Sequence, residues 1–151
     1  MKSSKFNIRV YGLLFHNSQV LLSKEMIKGK EYIKFPGGGL EFGEGVLDCL
    51  KREFIEELNL EINIKAHFHT TEDFIPSAFN PKHQVISIYY LVENAQLQNS
   101  PLIQENKKQG IKVAEDQIVY WCPIDELKDQ KIDLPIDKIV VEKLIGESFS
   151  Y

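Results

Sequence analysis

The sequence predicts an α/β protein in which a mixed β-sheet lies between helices. Strand-like apolar patterns stand on both sides of one amphipathic helical pattern, and a second helical pattern lies near the end of the chain. At 151 residues, with 43% hydrophobic and 26% charged residues, the chain fits a single domain spanning 1–151. The sequence contains no internal repeat, low-complexity tract or second domain boundary.

The first part of the chain predicts three strands and a helix. Residues 5–15 and 19–23 are rich in apolar residues and flank a short polar segment, which predicts a hairpin. Residues 31–35 predict a third strand that stops at Pro36, and the glycines 37–39 predict a turn. From about residue 45 to 58 the apolar positions follow a helical period and leave the acidic residues on another face.

The second part predicts further strands, then a helix. Residues 62–68 and 85–92 have strand patterns, and the second is a nearly continuous apolar run suited to the middle of a covered sheet. Residues 94–112 are polar and predict a long exposed connection. A strand over 117–122, a short helix over 123–127 and a final helix over 135–145 complete the pattern, with Gly146 as its end.

The helix over 45–58 carries three glutamates on one face. Glu53, Glu56 and Glu57 are spaced i, i+3 and i+4, so their side chains project together. Carboxylates this close repel one another unless they share a cation, and Mg²⁺ or Mn²⁺ prefers such oxygen ligands. We therefore predict a metal site formed by these three side chains, with Glu57 central and a backbone carbonyl of the glycine turn, taken as Gly38, completing it.

The segment from Gly38 to Leu60 resembles the Nudix box of diphosphohydrolases. Five residues separate Gly38 from Glu44, and seven more precede the run REFIEELNL that starts at Arg52. Asn59 stands where the family pattern has glycine, and asparagine also tolerates the left-handed conformation that ends a helix. The resemblance implies a Nudix-like α/β/α sandwich and metal-dependent pyrophosphohydrolase activity.

The resemblance also implies roles for individual residues. Arg52 orients a box glutamate, and the catalytic set is Arg52, Glu53, Glu56 and Glu57. In this family the general base comes from the box or from a later loop. Spacing alone leaves these alternatives open, and the acidic candidates are Glu57, Glu93, Glu105, Glu115 and Asp116.

Substrate-binding candidates flank the box. Lys24 and Lys34 lie on strands next to it and suit a phosphate, while Phe74 and Tyr90 suit stacking on a base. These residues do not distinguish a nucleoside triphosphate from a nucleotide sugar or an ADP-ribose-like substrate.

Two other functions remain as alternatives. A prenyl-diphosphate isomerase uses a Nudix-like scaffold but needs an extra protonating group, and Cys49 lies within the predicted helix. A nucleotide-binding sensor that does not hydrolyse its ligand is the non-enzymatic alternative.

Composition limits partners and location. The net charge of −4 argues against binding duplex nucleic acid, which normally requires a basic patch. No apolar stretch approaches the roughly 20 residues of a membrane span, so we expect a cytoplasmic protein. Cys49 and Cys122 do not have the number or spacing of a disulfide framework, so we expect both thiols to be reduced. The family often pairs, so a homodimer is compatible with the sequence.

Overall fold

The computed structural model describes residues 4–104 and 110–146. Within these residues the strands are β1 (Lys5–His16), β2 (Gln19–Ile27), β3 (Lys30–Lys34), β4 (Gly37–Gly39), β5 (Asn63–Thr70), β6 (His83–Glu93), β7 (Ile111–Ala114) and β8 (Gln117–Pro123). The α-helices are α1 (Val46–Leu58), α2 (Pro101–Gln104) and α3 (Pro135–Gly146), and short 3-10 helices cover Leu97–Asn99 and Ile124–Asp129.

The strands form one mixed sheet in the order β5-β6-β1-β2-β8-β7. β1 and β6 are parallel, in a register that runs from Lys5↔His83 to Leu14↔Val92. The other pairs are antiparallel, with β3 on β2 and β4 on β1. The parallel pair requires a long crossover, and the chain between β1 and β6 supplies it. The predicted mixed sheet is confirmed.

Helices cover both faces of this sheet, as predicted. On one face α1 contributes to a core of buried residues that includes Val10, Leu21, Leu50, Phe54 and Val119. On the other face α3 contributes to a second core that includes Leu13, Leu22, Tyr89, Val140 and Leu144. The fold is therefore an α/β/α sandwich, because each amphipathic helix buries its apolar side against the sheet.

Helix α1 has the boundaries that its sequence predicts. Gly45 precedes it in an extended conformation, and Asn59 ends it in the left-handed region with φ 50° and ψ 43°. The backbone N–H groups of Asn59 and Leu60 donate to the carbonyls of Ile55 and Phe54, which satisfies groups that a helix end leaves free. Asparagine thus replaces the family's glycine without changing how the helix ends.

Close packing brings α1 near β1. A Cβ atom added to Gly12 would lie 2.6 Å from the ring of Phe54, which is fully buried. Because glycine has no side chain, the Phe54 ring rests directly on the β1 backbone. This contact sets the depth of α1 over the sheet and therefore the height of its acidic face.

Two sequence predictions were wrong. Residues 37–39 form the short strand β4 instead of a turn, because their backbone pairs with Arg9–Tyr11 of β1. The described part of 94–112 is not a plain exposed connection, since Leu97 and Leu102 are buried and β7 begins at Ile111. The indole Nε1–H of Trp121 donates to the carbonyl of Leu102 at 3.0 Å and fixes this segment on the sheet.

Other features bear on partners and redox state. No helix in the described ranges combines the length and the apolar character needed to cross a membrane. Cys49 and Cys122 are both buried free thiols.

Candidate active site

Arg52 is the centre of the acidic cluster on α1. Its Nε and Nη2 donate to the two carboxylate oxygens of Glu44 at 2.9 and 2.7 Å. Its Nη1 donates to Glu53 and to Glu56, both at 3.0 Å, and Nη2 also reaches the carbonyl of Gly39 at 3.2 Å. One planar guanidinium thus holds three carboxylates and the β4 backbone, which a lysine could not do.

The Arg52–Glu44 pair is a fixed charge pair. Hydrogen bonds from Arg52, and a second one from the backbone N–H of Glu41, lower the pKa of the Glu44 carboxyl to about 2. The same hydrogen bond with Glu44 raises the pKa of Arg52 above its ordinary value. Both groups are therefore ionised at neutral pH, and they tie the loop before α1 to the helix.

Gly38 makes room for the Glu53 carboxylate. A Cβ atom at position 38 would lie 2.4 Å from Cδ of Glu53 and 2.5 Å from its Oε1. The Glu53 side chain is only 13% exposed, so it has little freedom to move aside. The glycine of the box is therefore required here by the close approach of a carboxylate to the backbone.

Glu57 lies in a different electrostatic environment. Burial and the nearby charge of Glu53 raise the pKa of Glu57 to about 7, against the opposing effects of Lys34 and a hydrogen bond from Gln117. The charge of Glu53 therefore disfavours ionisation of Glu57. A cation bound beside Glu57 would favour its charged form.

The carboxylate oxygens of this cluster suit a hard divalent cation, although the side chains do not converge on one point. In the described ranges, no group of three or more His, Cys, Asp or Glu side chains has an arrangement that could hold a metal ion. Arg52 explains this, because it takes up oxygens of Glu53 and Glu56. Glu57 and Glu53 are the carboxylates whose mutual repulsion a cation would relieve.

A cavity of about 320 Å³ opens beside this cluster. Its floor contains Tyr11 and Tyr89, whose rings stack with centroids 5.2 Å apart, and residues 75–79 form part of its wall. Polar residues from four strands and from the start of α3 also line it: Asn7, Arg9, Glu25, Lys34, Ser87 and Asp137. A mainly apolar, aromatic cavity with a few polar groups is typical of small-molecule sites.

Charged residues connect the cavity to the acidic cluster. Lys34 is buried, lines the cavity and forms an ion pair with Glu25 at 2.8 Å. Both residues also act electrostatically on Glu57, which lies on α1. The cavity and the acidic cluster therefore share charged neighbours.

A buried carboxyl also lines the cavity. Asp137, in the first turn of α3, accepts a short hydrogen bond from the hydroxyl of Tyr89. Burial raises the pKa of Asp137 to about 6, although Tyr89, Lys34 and Arg9 favour its charged form. The pKa of Tyr89 is also raised by burial, so the hydroxyl stays a donor.

The raised pKa of Asp137 predicts that this group destabilises the fold at neutral pH. Its contribution is most favourable below about pH 4, where both states are protonated, and is lost as pH rises through about 6. We expect Asp137→Asn to unfold at a higher temperature than wild type at pH 7.5. The free-energy gain is on the order of 3 kcal/mol and should shrink towards pH 4. Thermal unfolding of both proteins across this range measures it, and a gain independent of pH would contradict the assignment.

The substrate-binding residues suggested by the sequence divide into two groups. Lys34 lies in the cavity wall next to Glu57. Lys24 is placed over the ring of Tyr120, Tyr90 makes an edge contact with His67, and Phe74 lines a separate shallow groove. These contacts do not place Lys24, Phe74 or Tyr90 in the cavity. A role for these three residues in substrate binding stays a prediction.

The candidates for a general base outside the box are also dispersed. Glu93 is exposed at the end of β6, and Glu115 and Asp116 are exposed in the turn before Gln117. Glu105 lies outside the described residues. Of the described candidates, Glu57 is the one that shares charged neighbours with the cavity.

Sequence reasoning missed Arg9, Glu25, Tyr11 and Asp137 as cavity residues. A signal exists for Asp137: it occupies an i, i+3, i+4, i+7 series with Val140, Val141 and Leu144, which are all buried. An acid on an apolar helix face indicates a buried polar group. No comparable pattern marks Glu25.

Comparisons with known proteins agree with this architecture. The NUDIX domain model matches residues 5–143. The structure is similar to the ORF135 protein of Escherichia coli (TM-score 0.70, 16% identity, 97% of this chain and 93% of that chain). It is also similar to a MutT protein from Methanosarcina mazei (0.69, 15%, 94% and 94%) and to one from methicillin-resistant Staphylococcus aureus (0.65, 22%, 96% and 99%).

The chain belongs to the NUDIX family. It is a Nudix-type pyrophosphohydrolase, and its box at Gly38 to Leu60 begins in β4 and includes the whole of α1. Members of this family generally use divalent metal ions and act on small nucleotide-like substrates.

Proposed function

We propose that this protein hydrolyses a phosphoanhydride bond of a nucleoside diphosphate linked to another group, in a reaction that requires Mg²⁺ or, in its place, Mn²⁺. The observation that carries the proposal is that Lys34 and Glu25 line an aromatic cavity and also act electrostatically on Glu57 of the acidic cluster. Aromatic rings suit the nucleoside, and the carboxylates suit the cation that phosphate oxygens require.

Each residue has a distinct part in this proposal. Glu53, Glu56 and Glu57 would hold the cation, with Glu57 as the main ligand and the backbone carbonyl of Gly38 as a further one. Arg52 fixes Glu53 and Glu56 through its Nη1 and does not touch the substrate. When bound, the cation neutralises charge on the phosphate oxygens and activates water. Lys34, which lines the cavity, supports the phosphate.

The contacts favour hydrolysis over the isomerase alternative. Cys49 is fully buried in α1, and its Sγ–H donates to the carbonyl of Gly39 at 3.5 Å. Burial raises the pKa of this thiol to about 12, and Cys49 is not among the cavity residues. These observations therefore do not support Cys49 as a group that protonates the substrate. The sensor alternative has no contact in its favour.

The remaining parts of the proposal concern the whole chain. We propose one domain over residues 1–151 that acts in the cytoplasm on a small molecule, without duplex nucleic acid as a partner. The acidic net charge and the two buried free thiols support this assignment. A homodimer is compatible with it.

A metal-dependent substrate screen tests the proposal. Nucleoside triphosphates, oxidised triphosphates, nucleotide sugars, ADP-ribose and dinucleoside polyphosphates are each incubated with and without Mg²⁺, and phosphate-containing products are separated. We expect one class to be cleaved only with the cation. Tight binding of ADP-ribose with no cleavage at any Mg²⁺ or Mn²⁺ concentration would instead favour the sensor.

A further inference from the structure

Arg9 lies at the point where the cavity meets the acidic cluster. On β1 it pairs with Gly39 of β4 and with Ser87 of β6, so it stands between the box and the cavity strands. Its Nη1 lies 3.5 Å from the place where a Cβ of Gly39 would be, and the residue lines the cavity. It is one of only two arginines in the sequence, the other being Arg52.

The guanidinium of Arg9 keeps most of its donors available. Its Nε donates to the hydroxyl oxygen of Tyr11 at 2.7 Å, and this is its one side-chain hydrogen bond within the described residues. A guanidinium has five N–H donors in a planar fork, so Nη1 and Nη2 are left for a ligand. Burial raises the pKa of Tyr11, which therefore stays neutral and supplies no counter-charge.

The acidic residues nearest to Arg9 are bound to other cations. Glu25 is paired with Lys34 at 2.8 Å, and Glu53 is paired with Arg52 at 3.0 Å. Both carboxylates act on Arg9 electrostatically, but neither forms an ion pair with it in the part of the chain that the structure describes. An always-charged, half-buried guanidinium at this junction is therefore suited to an anion from outside the protein.

We propose that Arg9 binds a non-bridging phosphate oxygen of the substrate, between the nucleoside in the cavity and the anhydride at α1. This inference rests on the proposed function, because only a ligand that extends from the cavity to the carboxylates passes Arg9. Tyr11 is a positioning residue, since its hydroxyl holds Nε and turns the Nη groups towards the ligand. A nucleoside without phosphates would not reach them.

The test compares Arg9→Gln and Arg9→Lys with Lys65→Gln, which removes the same charge from an exposed position on β5. Binding of inorganic pyrophosphate in the presence of Mg²⁺ is measured by calorimetry. We expect Arg9→Gln to bind it roughly 10- to 100-fold more weakly, as for loss of a charged hydrogen bond. Arg9→Lys should recover part of the affinity, and Lys65→Gln should match wild type.

Kinetics and folding complete the test. For the substrate found in the screen, Arg9→Gln should raise KM, while its unfolding temperature stays near that of wild type. If Arg9→Gln does not fold, Arg9→Lys and Tyr11→Phe are compared with wild type instead. We expect both variants to bind pyrophosphate more weakly than wild type. Unchanged pyrophosphate affinity in the folded variants overturns the role of Arg9. Wild type that cleaves no substrate contradicts the proposed function instead, so the two failures are distinguishable.

Discussion

Glu57→Gln is expected to lower kcat about 10³-fold, the range typical of losing a catalytic carboxylate. Glutamine keeps the size of the side chain but removes a charge that interacts with Glu53 and with the cavity residues Lys34 and Glu25. Turnover is measured by product release at saturating Mg²⁺ on the substrate found in the screen. Because the change also relieves repulsion from Glu53, the variant should unfold at the same temperature as wild type or higher near neutral pH.

Glu142→Gln provides the matched control, because Glu142 is exposed on α3 and the same charge is lost far from α1. Its kcat should stay within about twofold of wild type, as for an ordinary surface substitution. Full magnesium-dependent turnover by Glu57→Gln would show that the acidic face of α1 does not carry the chemistry.

Gly38→Ala is expected to reduce kcat/KM about 100-fold, because a displacement of about 1 Å in a catalytic group has effects of this size. The new methyl carbon would lie 2.4 Å from Cδ of Glu53, so the carboxylate must move out of its bond with Arg52. The same crowding should lower the free energy of unfolding by about 1–3 kcal/mol. Steady-state kinetics and thermal unfolding of one preparation measure both effects.

Gly45→Ala tests whether any methyl group in this loop would do the same. A Cβ at Gly45 would meet Asp48 Oδ2 at 3.6 Å, which is ordinary contact, and its φ of −77° suits alanine. We expect its kcat/KM to stay within about threefold of wild type, with the small loss of stability of an altered helix start. Equal activity of Gly38→Ala and wild type would contradict the contact with Glu53.

Local patterns in the sequence were sufficient to predict helix α1, its acidic face and most of the strands. The spacing of Glu53, Glu56 and Glu57 and the conformational tolerance of Asn59 are properties of consecutive residues, so both could be predicted. The strand formed by residues 37–39 could not, because three glycines have no strand preference and pair only because β1 lies beside them.

The cavity could be predicted only in part. Lys34 precedes the box and was found, whereas Arg9, Glu25 and Asp137 come from distant segments that meet only in the folded sheet. Phe74 and Tyr90 were chosen for their ring chemistry, which does not determine the face on which a side chain lies. Tyr89, the neighbour of Tyr90 in the sequence, lines the cavity together with Tyr11.

The most direct test is a titration of Mn²⁺ followed by electron paramagnetic resonance, with wild type, Glu57→Gln and Glu142→Gln at equal concentrations and no substrate. If the acidic face of α1 binds the cation, Glu57→Gln should bind Mn²⁺ at least about tenfold more weakly than the other two proteins. Equal Mn²⁺ affinity in all three proteins would contradict the account.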